Sequence, residues 1–217
     1  SGMQEVISSS LTSMANLEKI PAPTDLVQPL RLANPMSEDQ QYLRTTLRST
    51  ILSTLSANQF NVRDGIKIFE VGRVYIPRPS DLPLELEMLV GVLTGPRWSA
   101  TWLESEGSLD FFDAKGILEA LLNQLHFRYN FEPMEDTLFL PGRGARISVQ
   151  GSPVGVLGEV HTQILESFQI DTAPVILFEL DLEVALRHIP SGTSQYKPLP
   201  RYPGAYRDLA LTLDLHV

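Results

Sequence analysis

The sequence predicts an α+β fold, a mostly antiparallel sheet flanked by helices. Three observations point to it. Apolar residues recur with a period of two through much of the chain. Short turn signals separate several of these runs. Only two segments carry a sustained helical stripe. Strands joined by short turns pair antiparallel, whereas a parallel sheet needs a long crossover between partners. About eight strands and two long helices are expected, and 217 residues suffice to bury a core.

Gln4 to Thr12 alternates and reads as a strand. Pro21-Ala22-Pro23 breaks the chain, and Leu26 to Ala33 is extended with a bend or edge at Pro29. Ser37-x-x-Gln40 has the form of a capping box, and Leu43, Leu47, Ile51 and Leu55 follow at four-residue spacing. That pattern predicts one amphipathic helix from Asp39 to Asn58. After the Asp64-Gly65 turn, Ile66 to Pro77 is strand-like. Arg78 to Pro83 reads as a Pro-rich loop, Glu87 to Leu93 as a buried strand, and Trp98 to Ser108 as irregular. A second helix starts at Asp110, with Ile117, Leu118, Leu121, Leu122 and Leu125 on its stripe. Phe127 to Phe131 is a strand, Leu140 to Gly144 a turn, and Ala145 to Val149 with Pro153 to Val160 a hairpin through Gln150-Gly151-Ser152. Val175 to Leu182 is a strand, and Glu183 to His188 a helical turn. A Pro-rich linker, Pro190 to Pro203, precedes a last strand, Asp208 to Leu215.

Composition excludes several functions. There is no Cys, so disulfides, thiol catalysis and Cys-ligated metals are out. Four His, with no local pair, give no ground for a His-rich metal site. The net charge of −9 argues against a general nucleic-acid binder. No apolar run reaches the roughly 18 residues of a membrane span. The polar, acidic start Met3-Gln4-Glu5-Val6 lacks the pattern of a signal peptide. A reducing, cytoplasmic setting is expected. A first residue of Ser1 suggests a piece of something longer.

Few residues suggest chemistry by spacing alone. Gly142-Arg143-Gly144-Ala145-Arg146 has the look of an anion-binding turn, but it lacks the Gly-Lys-Ser/Thr of a phosphate loop. A hairpin carrying surface arginines explains it better. Asp110 and Asp113 are a candidate carboxylate pair, although their place at a helix start favours capping. Glu159 and His161 lie two apart on a strand, the spacing of an acid–base pair without a third member. Trp98 and Trp102 suggest either an aromatic pocket or packing on a neighbour. His188, Lys197, Arg201 and Arg207 give the C-terminal stretch a mildly basic cast.

Eight stretches, taken together and in order, resemble the β subunit of bacterial phenylalanyl-tRNA synthetase. They are Gly2 to Ile7; Asn34-Pro35-Met36-Ser37-Glu38 with Tyr42 to Leu47; Ile68 to Tyr75; Asp110-Phe111-Phe112-Asp113-Ala114-Lys115-Gly116; Pro141 to Ala145; Val156 to His161; Phe178 to Leu182; and Tyr202-Pro203 with Arg207 to Leu211. The resemblance implies a catalytic-like module related to the class II aminoacyl-tRNA synthetase core over residues 1–190. Residues 191–217 would then be a linker and the first strand of a truncated ferredoxin-like anticodon-binding domain. The subunit it implies is several times longer, with an editing domain and an acidic magnesium site elsewhere. The assembled heterotetramer attaches phenylalanine to tRNA with ATP and magnesium on its α subunit.

The same resemblance implies a degenerate ATP site. Active class II cores clamp ATP with an arginine after one strand and a second arginine at a helix start, behind a Gly-x-Gly strand. The first element resembles Gly72-Arg73-Val74-Tyr75, followed here by Ile76, Pro77 and Arg78 where an arginine and then an acid belong. The second resembles Phe178 to Leu186, with Glu179 and Asp181 at the glycine positions and Val184 at the arginine. A triphosphate needs cationic clamps, so a site without them should reject ATP. The expectation is a scaffold for the α subunit, holding no catalytic residue, metal or cofactor of its own. The helix Asp39 to Asn58 and the strand Gln4 to Thr12 are expected near that contact. Two rivals are an enzyme domain that binds ATP or an adenylate, and a weak tRNA-binding module using Arg143, Arg146, Lys197, Arg201 and Arg207.

Overall fold

A computed structural model describes residues 2–21, 28–60, 65–79, 81–97 and 107–189, together with Arg207, Asp208, Ala210 and Thr212. In chain order the first elements are β1 (Gln4–Glu5), β2 (Leu11–Thr12), α1 (Met14–Glu18), β3 (Tyr42–Leu43), α2 (Arg48–Asn58), β4 (Ile66–Arg78) and β5 (Asp81–Thr94). Then come α3 (Phe111–Gln124), β6 (Tyr129–Met134), β7 (Phe139–Val149), β8 (Ser152–Val160), α4 (Thr162–Ser167), β9 (Val175–Asp181) and α5 (Leu182–Leu186). Seven strands form one sheet in the order β1-β4-β5-β9-β8-β7-β6, and β2 pairs with β3 in a separate ribbon. Every pair in the large sheet is antiparallel except β1 with β4. This is the α+β, mostly antiparallel architecture that the turn signals predict.

Both faces of the sheet are covered. One core joins α2 and α4 to the sheet through Leu47, Ile51, Leu52, Leu55, Leu165 and Phe168. The other places α3 on Ile147, Leu157, Ile176 and Phe178. α3 forms where the sequence predicts it, because Asp110 accepts from the backbone N–H of Phe112 and Asp113 while Asp113 reaches back to Asp110 N–H. The β7–β8 hairpin turns through Gln150 and Gly151, both with positive φ, as a right-twisted two-residue hairpin requires.

Several expectations are corrected. The helix expected over Asp39 to Asn58 starts only at Arg48. Glu38–Gln40 is a single 3-10 turn, and Ser37 makes no side-chain cap there. The backbone of Tyr42 and Leu43 pairs with Thr12 and Leu11, so it cannot also be helical. Thr46 Oγ1 then accepts from Arg48 N–H at 3.1 Å as the helix opens. The strand expected over Gln4 to Thr12 is two pieces in two different sheets. The loop expected at Arg78 to Pro83 is the end of a long hairpin. Pro77 and Pro83 sit where the register shifts between Ile76 and Arg78, and Pro79 lies in the turn, places that tolerate a missing donor. The turn expected at Leu140 to Gly144 lies inside β7. Between the pairs Phe139↔Val160 and Gly144↔Gly158, four residues of β7 face one of β8, Glu159, and Gly142 takes φ +73° to absorb the excess. α4 has no counterpart in the sequence reading. The last strand, expected over Asp208 to Leu215, falls largely outside the described residues.

A buried ion pair joins these parts. Arg44 and Glu70 have side chains 3% and 1% exposed, with Arg44 Nη1 2.7 Å from Glu70 Oε1. The Ser8 hydroxyl donates to Glu70 Oε2 at 2.7 Å and accepts from Arg44 Nη1 at 2.9 Å. Arg44 Nε donates to the Arg73 carbonyl at 2.8 Å. Removing one partner of such a pair strands the other charge and costs about 3–5 kcal/mol, whereas replacing both with apolar residues is far milder. Arg44→Met is therefore expected to lower the urea unfolding free energy by that amount, and Arg44→Met/Glu70→Leu to recover much of it. Equal losses in the single and double variants would refute this account.

Candidate functional site

A cleft of about 870 Å³ opens on the α2 side of the sheet. Its floor is the outer part of the β4–β5 hairpin, with Val74, Ile76, Leu86 and Met88 side by side. α1 supplies the opposite wall through Met14 and Leu17. These side chains meet because even-numbered positions of both strands share one face of the pleat.

A polar corner closes the cleft. Arg48, in the first turn of α2, donates from Nε to Glu179 Oε2 at 2.7 Å and from Nη1 to Asp136 Oδ2 at 3.3 Å. Burial works against the charged guanidinium. The attraction of Glu179, then of Asp136, and the hydrogen bonds to both outweigh it, so the pKa of Arg48 is raised. Asp136 is fixed in turn, with its Oδ1 accepting from Leu138 N–H at 2.9 Å. Asp181 also lines the cleft, and its Oδ1 accepts from Val184 N–H at 2.9 Å to cap α5. The corner thus holds a guanidinium already engaged by two carboxylates, with a third carboxylate beside it.

The residues singled out from the sequence divide. Ile76, Glu179 and Asp181 come together in this cleft. Val184 lies in the first turn of α5, directly after β9, and its backbone rather than its side chain is tied to Asp181. Arg78 sits at the hairpin end, bonded to Asp81 and to the Leu82 carbonyl, and does not line the cleft. Arg48 was missed. It follows Thr45-Thr46-Leu47 as an unremarkable helix residue, and its partner Glu179 lies 131 positions away.

Several of the other candidates make local structural contacts. Arg143 pairs with Glu159 across β7 and β8, which takes Glu159 away from His161. His161 Nδ1 instead accepts from Gln163 N–H at 3.2 Å as the N-cap of α4. Arg146 is exposed on β7 opposite Glu132, beside a hollow it shares with Glu179 and Asp181. Arg207 is exposed, while Lys197, Arg201, Trp98 and Trp102 lie outside the described residues. Arg97 bridges Asp110 at 3.0 Å and Asp113 at 2.8 Å, so the two carboxylates serve the α3 N-terminus. Among the described residues no helix is long and apolar enough to cross a membrane.

A mostly antiparallel sheet of this order, with helices on both faces and a cleft whose arginine is held by acids, defines the class of the protein as an α+β module. The comparisons with known proteins are specific. The family described as the phenylalanyl tRNA synthetase beta chain CLM domain matches residues 1–182, and the chain belongs to that family. Similar relatives carry the name phenylalanine–tRNA ligase beta subunit. One from Dehalococcoides mccartyi is 35% identical over 100% of this chain, and one from Oceanobacillus iheyensis is 34% identical over 100%. A third, from Staphylococcus epidermidis, is 32% identical over 87% of it. The chain spans about a quarter of these relatives, covering 26%, 27% and 23% of their lengths.

The Asp113 cluster gives a pH test. Burial raises the Asp113 pKa, but the Arg97 hydrogen bond and the Asp110 backbone N–H more than offset this, so it lies below the ordinary aspartate value. A lowered folded-state pKa contributes stability that is complete above the unfolded value, near 3.9, and is lost as pH falls through the folded one. Wild type is thus expected to exceed Asp113→Asn in thermal stability at neutral pH, with the gap closing only below about pH 4. A gap that persists unchanged at the acid end would contradict the assignment.

Proposed function

We propose that this chain is the non-catalytic, class II synthetase-like core of a phenylalanyl-tRNA synthetase β subunit. In this reading residues 1–190 form the core, and residues 191–217 a linker and the first strand of an anticodon-binding domain. The core scaffolds an α subunit that carries the ATP- and magnesium-dependent attachment of phenylalanine to tRNA, in the cytoplasm. A large docking surface of this kind acts by fixing the geometry of another chain's active site.

The observation that carries the reading is the charge in the cleft. Where an ATP site needs guanidinia free to clamp phosphates, Arg48 is engaged by Glu179 and Asp136, and Asp181 adds another negative charge. Glu179 also puts a side chain where a synthetase strand leaves room for a ring, and that side chain is held in place by Arg48. The order of strand β9 and then helix α5 further supports the likeness to the second synthetase element. The rival tRNA reading is weakened by Arg143, whose charge is already met by Glu159.

Because Ile51, Leu52 and Leu55 of α2 face this chain's own core with no exposure, an α subunit would meet this helix on its opposite face. Calorimetric titration of the chain with ATP and magnesium tests the central claim. No heat is expected up to roughly millimolar ATP, a limit of about −4 kcal/mol. Stoichiometric binding would overturn the scaffold reading in favour of an ATP- or adenylate-binding domain.

A further inference from the structure

The cleft has room and a charge pattern of its own. Its volume of about 870 Å³ is that of a small-molecule site. Its floor is apolar, and its charged lining is lopsided. Among the described residues, Glu18, Asp136, Glu179 and Asp181 face a single guanidinium in the cleft, that of Arg48. Counting Arg146 at the adjoining hollow, carboxylates still outnumber guanidinia by four to two. Arg48 is engaged on Nε and Nη1. Asp181 uses Oδ1 to cap α5, and no hydrogen bond reaches its Oδ2 among the described residues. An anion entering the cleft meets a surplus of negative charge. A neutral polar molecule gains nothing from the floor of Val74, Ile76, Leu86 and Met88.

We propose that the cleft binds an organic cation with an apolar body. An ammonium or guanidinium group sits at the Glu179–Asp181 corner, and a ring or chain lies on the β4–β5 floor. The proposal goes beyond the scaffold reading and does not depend on it, because it uses only the lining of the cleft. It also separates this ligand class from small hydrophilic cations, which leave the floor wet, and from nucleotides, which carry the wrong charge.

A series with one ring and three charges tests it: naphthylmethylammonium, naphthylmethanol and naphthoate, titrated into the 217-residue chain and followed by NMR at the methyl groups of Ile76 and Met88. The ammonium is expected to bind at least about fivefold more tightly than the alcohol, which is the worth of one unit charge at close range in a water-like medium. Naphthoate is expected to bind more weakly than the alcohol. Asp181→Asn keeps the oxygen that caps α5, and it should reduce the preference for the ammonium while leaving the alcohol unchanged. Asp81→Asn, at the hairpin end, should change neither. Equal binding of the three compounds, no binding, or shifts away from Ile76 and Met88 would overturn the proposal. ATP binding in the calorimetric titration would count against the scaffold reading, whereas this series is decided by its own order of affinities.

Discussion

The Arg44–Glu70 pair sets the position of nearly everything on the α2 side of the sheet. Two charges removed from water impose a large desolvation cost, offset only when every donor and acceptor around them is met. Here the partners come from three segments: Ser8 of the N-terminal stretch, Arg44 just after β3, and Glu70 and the Arg73 carbonyl of β4. Backbone bonds reinforce the join, from Arg44 N–H to the Ser10 carbonyl and from Tyr75 N–H to the Arg44 carbonyl. Gly72 belongs to the same arrangement, since a Cβ there would strike the Arg44 guanidinium. Four residues past Arg44, the chain has entered α2 and delivers Arg48 to the cleft. The structural pair and the cleft pair are therefore linked by one turn of chain.

The two arginines illustrate different uses of the same group. Arg44 is sealed, and its contribution is to hold three strands of chain together. Arg48 has a side chain 18% exposed at the edge of an open cavity, so its charge shapes what can enter. Its two carboxylate partners remove the feature that a phosphate would seek.

Some of this was legible in the sequence. α3 was readable because its cap, its reciprocal Asp113 and its apolar stripe are all local. The β7–β8 hairpin was readable because Gln150-Gly151 is a turn signal between alternating runs. The start of α2 was not, because Leu43 and Leu47 continue the helical period while the backbone around Tyr42 is claimed by a partner strand thirty residues earlier in the chain, at Leu11 and Thr12. The hairpin end at Arg78 and the bulge at Gly142 were obscured by Pro and Gly, which signal turns and strand irregularities alike. Glu179 and Asp181 drew notice only through the family resemblance. Arg48 drew none, since nothing in a local window announces a partner in the last strand.

The placement of β9 has a consequence for how the chain can be made. It lies between β5 and β8 at the middle of the sheet, yet it is the last strand of that sheet to be synthesised. Without Val175 to Asp181 the strand order divides into β1-β4-β5 and β8-β7-β6, each with an open edge. Such edges invite pairing with the wrong chain. A nascent chain stalled or clipped before Val175 would therefore not be a shortened domain but two unjoined halves, with the edges of β5 and β8 left unpaired.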